Sequence, residues 1–263
     1  MKRLLYIIFP VLIFIMLPGC LEQKEDTDDF DQAEYYFSTG QFNQARNLYQ
    51  QYIDENEHGR KRYQAWNRLL SISVDIYNDI EGGLDILKAM QMEYDGELDR
   101  ILDINARIAG KYDRLGQPRE SRRLWKKNKE LAQSGKERKK AALFLSKTGI
   151  QLREFERVRE DLEKFSDCSG ETDAELCSMI HYTRGKSYYL ENDLTRAGEV
   201  LSRAYSLDAG NEYRSRAGLL LTEVLLDQDK VDQAVDLLKE ILDIHPNPKA
   251  IEARIEHLSS IRD

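Results

Sequence analysis

Apolar and polar residues follow one another along most of this chain with the three- and four-residue spacing of amphipathic helices. The clearest stretch, residues 184–208, predicts two short helices joined by a tight polar turn. Gly185 and Tyr188 precede the turn, and Ala197 and Leu201 follow it. We expect the small residues to let the two helices approach closely while the large ones fill the gaps. One hairpin cannot bury its own apolar face, so the pattern predicts neighbours of the same kind.

The same arrangement recurs six times along the chain. One position in the second helix of each hairpin, which we call the small position because most repeats have a small residue there, recurs every 37 to 39 residues. It is occupied by Ala45, Gly83, Ser121, Val158, Ala197 and Ala234. Four residues later comes a large apolar or aromatic residue, at Tyr49, Leu87, Trp125, Leu162, Leu201 and Leu238. This spacing places both on one helical stripe. The turns contain Gly40, Gly116 and Asn192, residue types that tolerate a left-handed backbone.

This pattern resembles the tetratricopeptide repeat, in which a helix with glycine and tyrosine is followed by a helix with alanine and a large residue. The resemblance implies an all-α fold, a right-handed superhelical solenoid of about six hairpins over residues 30–263. The predicted repeats span about 26–59, 64–97, 102–135, 139–172, 178–211 and 215–248, and a polar capping helix follows at 249–262. Repeats one, three and five match best. Repeat four matches worst, because Val158 occupies the small position and Gly149 the tyrosine position.

The first 29 residues do not share this pattern. Lys2 and Arg3 precede an apolar run of 14 residues, which is shorter than the roughly 20 that span a membrane and is typical of a secretory signal. The run ends in Leu17-Pro18-Gly19-Cys20, which resembles a bacterial lipobox. That resemblance implies cleavage after residue 19 and fatty acylation of Cys20; an ordinary signal peptide with an incidental cysteine is the alternative. Multiple acyl chains would make the anchoring stable.

An acidic, non-periodic stretch follows the cysteine as far as residue 29, and its composition predicts an unfolded tether. No aspartate directly follows Cys20, and by resemblance to enterobacterial lipoproteins this favours the outer membrane, facing the periplasm. We therefore expect a membrane partner through the lipid anchor. Export from the cytoplasm would also separate the protein from nucleic acid, so we expect no nucleic-acid partner.

Cys168 and Cys177 are the two cysteines of the predicted folded body. Export would place them where disulfides persist, so we predict a bridge, with two free thiols as the alternative. His58, His181, His245 and His257 are scattered without ligand spacing. No nucleophile elbow, phosphate loop, dinucleotide fingerprint or zinc helix occurs. We therefore expect no catalysis, metal or cofactor, although an enzyme with an unrecognised site remains a further alternative.

Positive charge is concentrated in the third and fourth repeats. Residues 111–160 contain sixteen Lys and Arg against seven Asp and Glu, a net charge of +9 in a chain of net charge −8. The predicted basic patch consists of Arg119, Arg122, Arg123, Lys126, Lys127 and Lys139. It is either a solvated convex face or a dock for an acidic protein segment, a lipid head group or an anionic cell-wall polymer.

In the family that the chain resembles, the first helix of each unit lines a concave groove. The corresponding positions are Phe30, Glu34 and Phe37 in repeat one, Lys140, Leu143 and Lys147 in repeat four, Tyr182, Lys186 and Tyr189 in repeat five, and Arg216, Leu219, Glu223 and Leu226 in repeat six. Such a groove would suit an extended or helical peptide with acidic groups. The alternative is that Tyr182 and Tyr189 pack against a neighbouring repeat.

These observations predict a lipid-anchored periplasmic scaffold that binds envelope proteins. The chain broadly resembles outer-membrane lipoproteins of the BamD type and of the pilotin type, which would imply roles in outer-membrane protein assembly or in secretin and pilus assembly. The alternative is a regulator or holder of cell-wall enzymes that contacts anionic polymer through repeats three and four.

Overall fold

The structure, a computed structural model, describes residues 28–168 and 173–262 of the 263-residue chain. Within these residues the regular secondary structure is helical throughout, with thirteen α-helices and no strand. The predicted all-α class is therefore confirmed. The chain divides into two compact units, Met1–Asn78 and Asp79–Asp263. The division falls inside the second predicted repeat, one of the poorer matches to the pattern.

The first unit contains α1 (Asp28–Ser38), α2 (Phe42–Glu55) and α3 (Arg62–Ser71), and α3 continues into a π-helical turn (Ile72–Ile76). The helices α1 and α2 pack as a hairpin, and α3 packs on α2. At the centre of the hairpin the ring of Phe30 makes edge contacts with Tyr49 and Tyr52, at centroid distances of 5.7 and 5.5 Å. All three side chains are buried, so this aromatic cluster forms the core of the first repeat.

The second unit contains ten helices: α4 (Ile80–Glu93), α5 (Leu98–Arg114), α6 (Pro118–Leu131), α7 (Gly135–Gln151), α8 (Phe155–Glu163), α9 (Ala174–Tyr189), α10 (Leu194–Ser206), α11 (Gly210–Asp227), α12 (Val231–Leu242) and α13 (Pro248–Arg262). From α5 to α12 they form four antiparallel hairpins, and α13 packs on α12. Ile251 of α13 is buried whereas most of the helix is polar and exposed, as expected of a cap. Among the first helices of the hairpins, α7 packs on α9 and α9 on α11.

The repeating positions form the core, as the pattern predicts. All six residues at the small position are buried, and all six large residues that follow them are at most 5% exposed. A methyl group added to Gly185 would lie 2.6 Å from Leu201, so the predicted close approach in the fifth hairpin is present. In the fourth hairpin a methyl on Gly149 would lie 2.7 Å from Val158. The absent tyrosine side chain therefore leaves the space that the larger Val158 fills.

Every predicted hairpin has a residue of positive φ in the turn, five positions before its small residue: Gly40, Asn78, Gly116, Arg153, Asn192 and Asp229. At five of them the next backbone N–H bonds back to a carbonyl five residues earlier, for example Gln117 N to Tyr112 O and Asp193 N to Tyr188 O. This is the Schellman arrangement that ends a helix. The three turns predicted from sequence are confirmed, and the structure adds three more.

Ion pairs connect the second helix of one hairpin to the loop or helix of the next. Arg122 pairs with Glu154, Arg159 with Glu191, and Lys129 with Asp161, each across 32 residues. The repeat brings equivalent positions into register, so charge pairs recur along this side of the second unit.

Candidate binding surface

The first helices α7, α9 and α11 place three predicted groove residues together. Lys147, Tyr182 and Arg216 surround a recess of about 30 Å³, which Ser178, Met179 and Tyr213 complete. These residues come from three successive repeats at intervals of 34 or 35 positions, so the packing of α9 between α7 and α11 assembles the recess. The name "recess" refers to these six residues below.

Burial and like charge act together on Lys147. Burial, followed by the positive charge of Arg216, lowers the pKa of its amine to about 8, although Asp113 on α5 acts in the opposite direction. The amine lies 4.3 Å from the ring centroid of Phe144, a cation–π contact. Burial also raises the pKa of the Tyr182 hydroxyl. The recess thus combines a partly desolvated amine, a guanidinium and two phenols.

Two larger pockets involve the same first helices, one on α7 and one on α11. One of about 290 Å³ lies between α5, α6 and α7; its lining includes Lys140 and Trp125 together with the carboxylates of Asp99, Asp103 and Glu137. Another, of about 480 Å³, is lined by Arg216 and Leu219 of α11 and by the segment 244–246. Lys140, Phe144 and Lys147 fall on one stripe of α7, and Arg216 belongs to both the recess and the larger pocket beside α11. We call the surface that these positions define, from Lys140 to Leu219, the groove stripe.

Tyr182 and Tyr189 are partly buried, and both pack against the core cluster formed by α10, α11 and α12. Burial, followed by Asp227 and then Glu223, raises the pKa of Tyr189. Each ring therefore contacts the neighbouring repeat with one side and leaves part of itself accessible. Lys186, one turn from each tyrosine on α9, is also partly exposed.

One predicted groove residue, Leu143, lies in the core instead, so this prediction is wrong. Leu143 is 0% exposed and packs with Val158, Leu162 and Ile180, because α6, α8 and α9 all pack on α7. The next residue, Phe144, is partly exposed and stacks on Trp125 at 4.5 Å. The predicted register was off by one at this place. Phe30 is mostly buried in the aromatic cluster of the first repeat but also lines a pocket of the first unit.

The first unit has a pocket of its own, of about 420 Å³, that Phe30, Glu34, Lys61 and Arg68 line. Arg68 donates two hydrogen bonds to the Glu34 carboxylate, each 2.8 Å long, and the Tyr49 hydroxyl donates another of 2.6 Å. Burial alone would raise the pKa of the Glu34 carboxyl group. The hydrogen bonds and the positive charges of Arg68 and Lys61 outweigh it, so the pKa is lowered. Phe37 lies 4.5 Å beneath the Arg68 guanidinium. Glu34 is therefore committed to internal contacts.

The predicted basic patch is interleaved with carboxylates. On α6, Arg122 pairs with Glu154, Arg123 with Glu120, Lys126 with Glu130 and Lys127 with Asp95. Arg119 is exposed on the first turn of α6, and Lys139 lies on α7. Hydrogen bonding to Arg122 lowers the pKa of Glu154 despite some burial. Much of this positive charge is thus balanced locally.

Cys168 and Cys177 form a disulfide in the structure, with their Cα atoms 6.1 Å apart, within the range that bridges require. The Nε2 atom of His181 lies 3.9 Å from the Cys168 sulfur, and burial lowers the pKa of this histidine. The bridge is next to the start of α9, so it would hold the entry to the fifth repeat. Oxidation in an exported protein stays a prediction.

Three further observations concern the described residues alone. They contain no group of three or more His, Cys, Asp or Glu side chains placed to hold a metal ion. None of their helices is long and apolar enough to cross a membrane. The predicted lipidation site, Cys20, lies outside the described residues, as does the signal segment before it.

The described helices define a helical-repeat protein built mainly from antiparallel hairpins. Residues 188–255 match the family model for the tetratricopeptide repeat, and the chain has the fold of solved tetratricopeptide-repeat proteins, a fold typical of protein-binding scaffolds. A search of curated proteins finds no match.

Three solved structures illustrate the similarity of the fold. BtubC (BKLC) from P. vanneervenii is 16% identical, with a TM-score of 0.59 over 85% of this chain and 92% of that one. The N-terminal domain of the EccA1 ATPase from the ESX-1 secretion system of Mycobacterium tuberculosis is 14% identical, with a TM-score of 0.60 over 89% of each chain. The C-terminal part of a TPR repeat-containing protein from Cytophaga hutchinsonii is 14% identical, with a TM-score of 0.58 over 88% of this chain and 90% of that one. At these identities the similarity concerns the fold alone.

Proposed function

We propose that this chain is a lipid-anchored scaffold of the bacterial envelope that holds an extended segment of a partner protein along the groove stripe. The observation that supports this most directly is the convergence of Lys147, Tyr182 and Arg216 from three repeats. Partly exposed aromatic rings beside cations offer apolar contact area together with polar anchoring points. The pocket beside α11 shares Arg216 with the recess, and a second pocket includes Lys140 of α7.

The proposed anchor is Cys20, on the basis of the Leu17-Pro18-Gly19-Cys20 sequence, and the proposed location is the outer membrane facing the periplasm. The acidic segment before α1, which begins at Asp28, would hold the folded body away from the lipid surface. Candidate partners are subunits of outer-membrane protein assembly or of secretin and pilus assembly. Contact with anionic cell-wall polymer through the basic patch has weaker support, because internal carboxylates balance much of that charge.

Site-specific photocrosslinking in cells tests the scaffold proposal. A benzophenone amino acid replaces Tyr189 on the groove stripe side, or Glu160 on α8 as the matched control at an exposed second-helix position. We expect a discrete protein adduct from position 189 and none from position 160. Equal adducts at both positions, or none at 189, would contradict binding by the groove. Mass spectrometry of the adduct identifies the partner.

The anchor is tested separately with Cys20→Ser. We expect this variant to lose incorporation of radiolabelled palmitate and to leave the membrane fraction, while Cys168→Ser serves as the control that keeps both. Retention of label by Cys20→Ser would exclude the proposed anchor without affecting the groove proposal.

A further inference from the structure

The recess contains two cationic side chains, and its six lining residues include no carboxylate. The Lys147 amine has no carboxylate oxygen within 4.0 Å among the residues that the structure describes. The amine lies over the face of the Phe144 ring, 4.3 Å from its centroid. Arg216 makes one exposed pair with Glu212, 3.1 Å away on the same helix, so that pair does not occupy the recess.

Lys147 is in an unfavourable position in the free protein. Burial and the neighbouring guanidinium both disfavour its charged form, while Asp113 on the adjoining repeat favours it. Asp113 is itself partly buried, and burial raises the pKa of its carboxyl group. An anion that binds beside Lys147 and Arg216 would stabilise the charged amine and so offset part of the cost of burying that charge.

The volume of the recess limits what can enter. A cavity needs about 10–15 Å³ to hold one water molecule, so the roughly 30 Å³ of the recess has room for one small polar group. The phenols of Tyr182 and Tyr213 add hydroxyl groups to its wall. A planar carboxylate suits both this size and the bidentate geometry of a guanidinium.

The surroundings of the recess indicate that the ligand continues on both sides. Lys140 of the larger pocket beside α5 lies two helical turns from Lys147, or about 10 Å along α7. On the other side, the pocket beside α11 shares Arg216 with the recess. An extended chain advances about 3.3 Å per residue, so roughly three residues would span the first of these intervals. A group that enters between two pockets is more readily a side chain than a chain end.

We infer that the recess binds one aspartate or glutamate side chain from within an extended partner segment, with Lys147 and Arg216 as the residues that determine this specificity. This inference rests on the proposed function, because it names the group that the groove stripe selects. The inference also predicts that the preference for a carboxylate over a neutral side chain depends on pH. Raising the pH above the pKa of Lys147 would remove one of the two charges that hold the carboxylate, and the groups facing the amine are Asp113, Tyr182, Tyr213 and Arg216.

The test uses the full chain and defined peptide mixtures. Each mixture consists of seven-residue peptides with neutral residues at every position except the centre. Three mixtures are C-terminally amidated and carry Glu, Gln or phosphoserine at the centre. The fourth carries Gln at the centre and has a free C-terminal carboxylate. Affinities are measured by isothermal titration calorimetry, and the ¹³Cε signal of Lys147, assigned by its loss in Lys147→Met, reports whether the ligand reaches the recess. We expect the Glu mixture to bind about tenfold more tightly than the Gln mixture at pH 7 and to raise the Lys147 pKa.

Two variants and one control complete the experiment. Lys147→Met and Arg216→Gln should each reduce the preference for Glu over Gln several-fold, whereas Lys230→Met, which removes the same charge at the exposed start of α12, should leave it unchanged. At pH 10 the preference of the unaltered chain should fall toward that of Lys147→Met. Because variants are compared by preference and not by affinity alone, a general loss of folding would not imitate the result.

The outcomes separate this inference from the proposed function. Equal binding of the Glu and Gln mixtures, lost in Tyr182→Ala, would overturn carboxylate recognition and leave a peptide groove. A preference for the free C-terminal carboxylate or for phosphoserine would also overturn the inference, by identifying another anion. No change at Lys147 with any mixture, together with no photocrosslink at position 189, would overturn both proposals.

Discussion

Two groups of cations in the second unit lie in different surroundings. On α6, Arg122, Arg123 and Lys127 each have a carboxylate within 4.0 Å. On the groove stripe, the partly buried Lys147 lies near Arg216, and its amine contacts an aromatic ring. The first arrangement satisfies charge within the chain, whereas the second leaves charge for something outside it. A high density of basic residues, which drew attention to α6, is therefore a weaker indication of binding than one poorly compensated lysine.

Replacing Lys147 should have the largest effect on stability, and in the stabilising direction. Its pKa near 8 lies below the value of about 10.4 expected in the unfolded chain. The unfolded state therefore binds more protons between these values, and charge at Lys147 destabilises the fold most below pH 8. After allowance for partial exposure and the lost ring contact, we expect Lys147→Met to stabilise the chain by about 1–3 kcal/mol at pH 7.

The pH dependence of this gain provides its own control. The difference in free energy of unfolding between Lys147→Met and the unaltered chain, measured by urea denaturation, should shrink as pH rises from 8 to 10.5. A destabilised Lys147→Met, or a difference that does not change with pH, would show that Lys147 has a structural role in the recess. Lys230→Met should change stability little at either pH.

Breaking the Arg122 pair should have a smaller and opposite effect. The Arg122 side chain is 20% exposed and bonds both oxygens of Glu154 through one nitrogen, so Arg122→Gln should destabilise by about 1 kcal/mol. The pKa of Glu154 is lowered in the folded state, so this contribution is present above pH 4.5 and is lost as pH falls through the folded pKa. A double-mutant cycle with Glu154→Gln measures the coupling, and a coupling near zero would contradict the contribution that we assign to the pair.

The sequence predicted the repeating core well because that core depends on spacing along single helices. The small and large positions are buried in every hairpin. The sequence does not predict the groove-facing residue of α7. Because α6, α8 and α9 all pack on this helix, its apolar residues do not show which of them faces the groove. Leu143 was chosen and Phe144 is the accessible residue.

Other features required knowledge of several positions at once. Val158 and Gly149 each weakened the match to the repeat, yet together they exchange a large and a small residue across one contact. Asn78, Arg153 and Asp229 were missed as turn residues of positive φ, although counting five positions back from each small residue would have found them. The recess could be predicted in part, since three of its residues were named, but its unbalanced charge depends on contacts between repeats.

The smallest effect should come from the exposed pairs of α6. Arg123 is 74% exposed in its side chain and lies 3.3 Å from Glu120, so water and salt already weaken the attraction. Arg123→Gln should change the free energy of unfolding by less than about 0.5 kcal/mol, and the change should vanish in 0.5 M NaCl. The same variant should leave the Glu-over-Gln preference of the groove intact. If it instead reduced partner capture as strongly as Lys147→Met, binding would involve the basic face, and the distinction between satisfied and available charge would not hold for this chain.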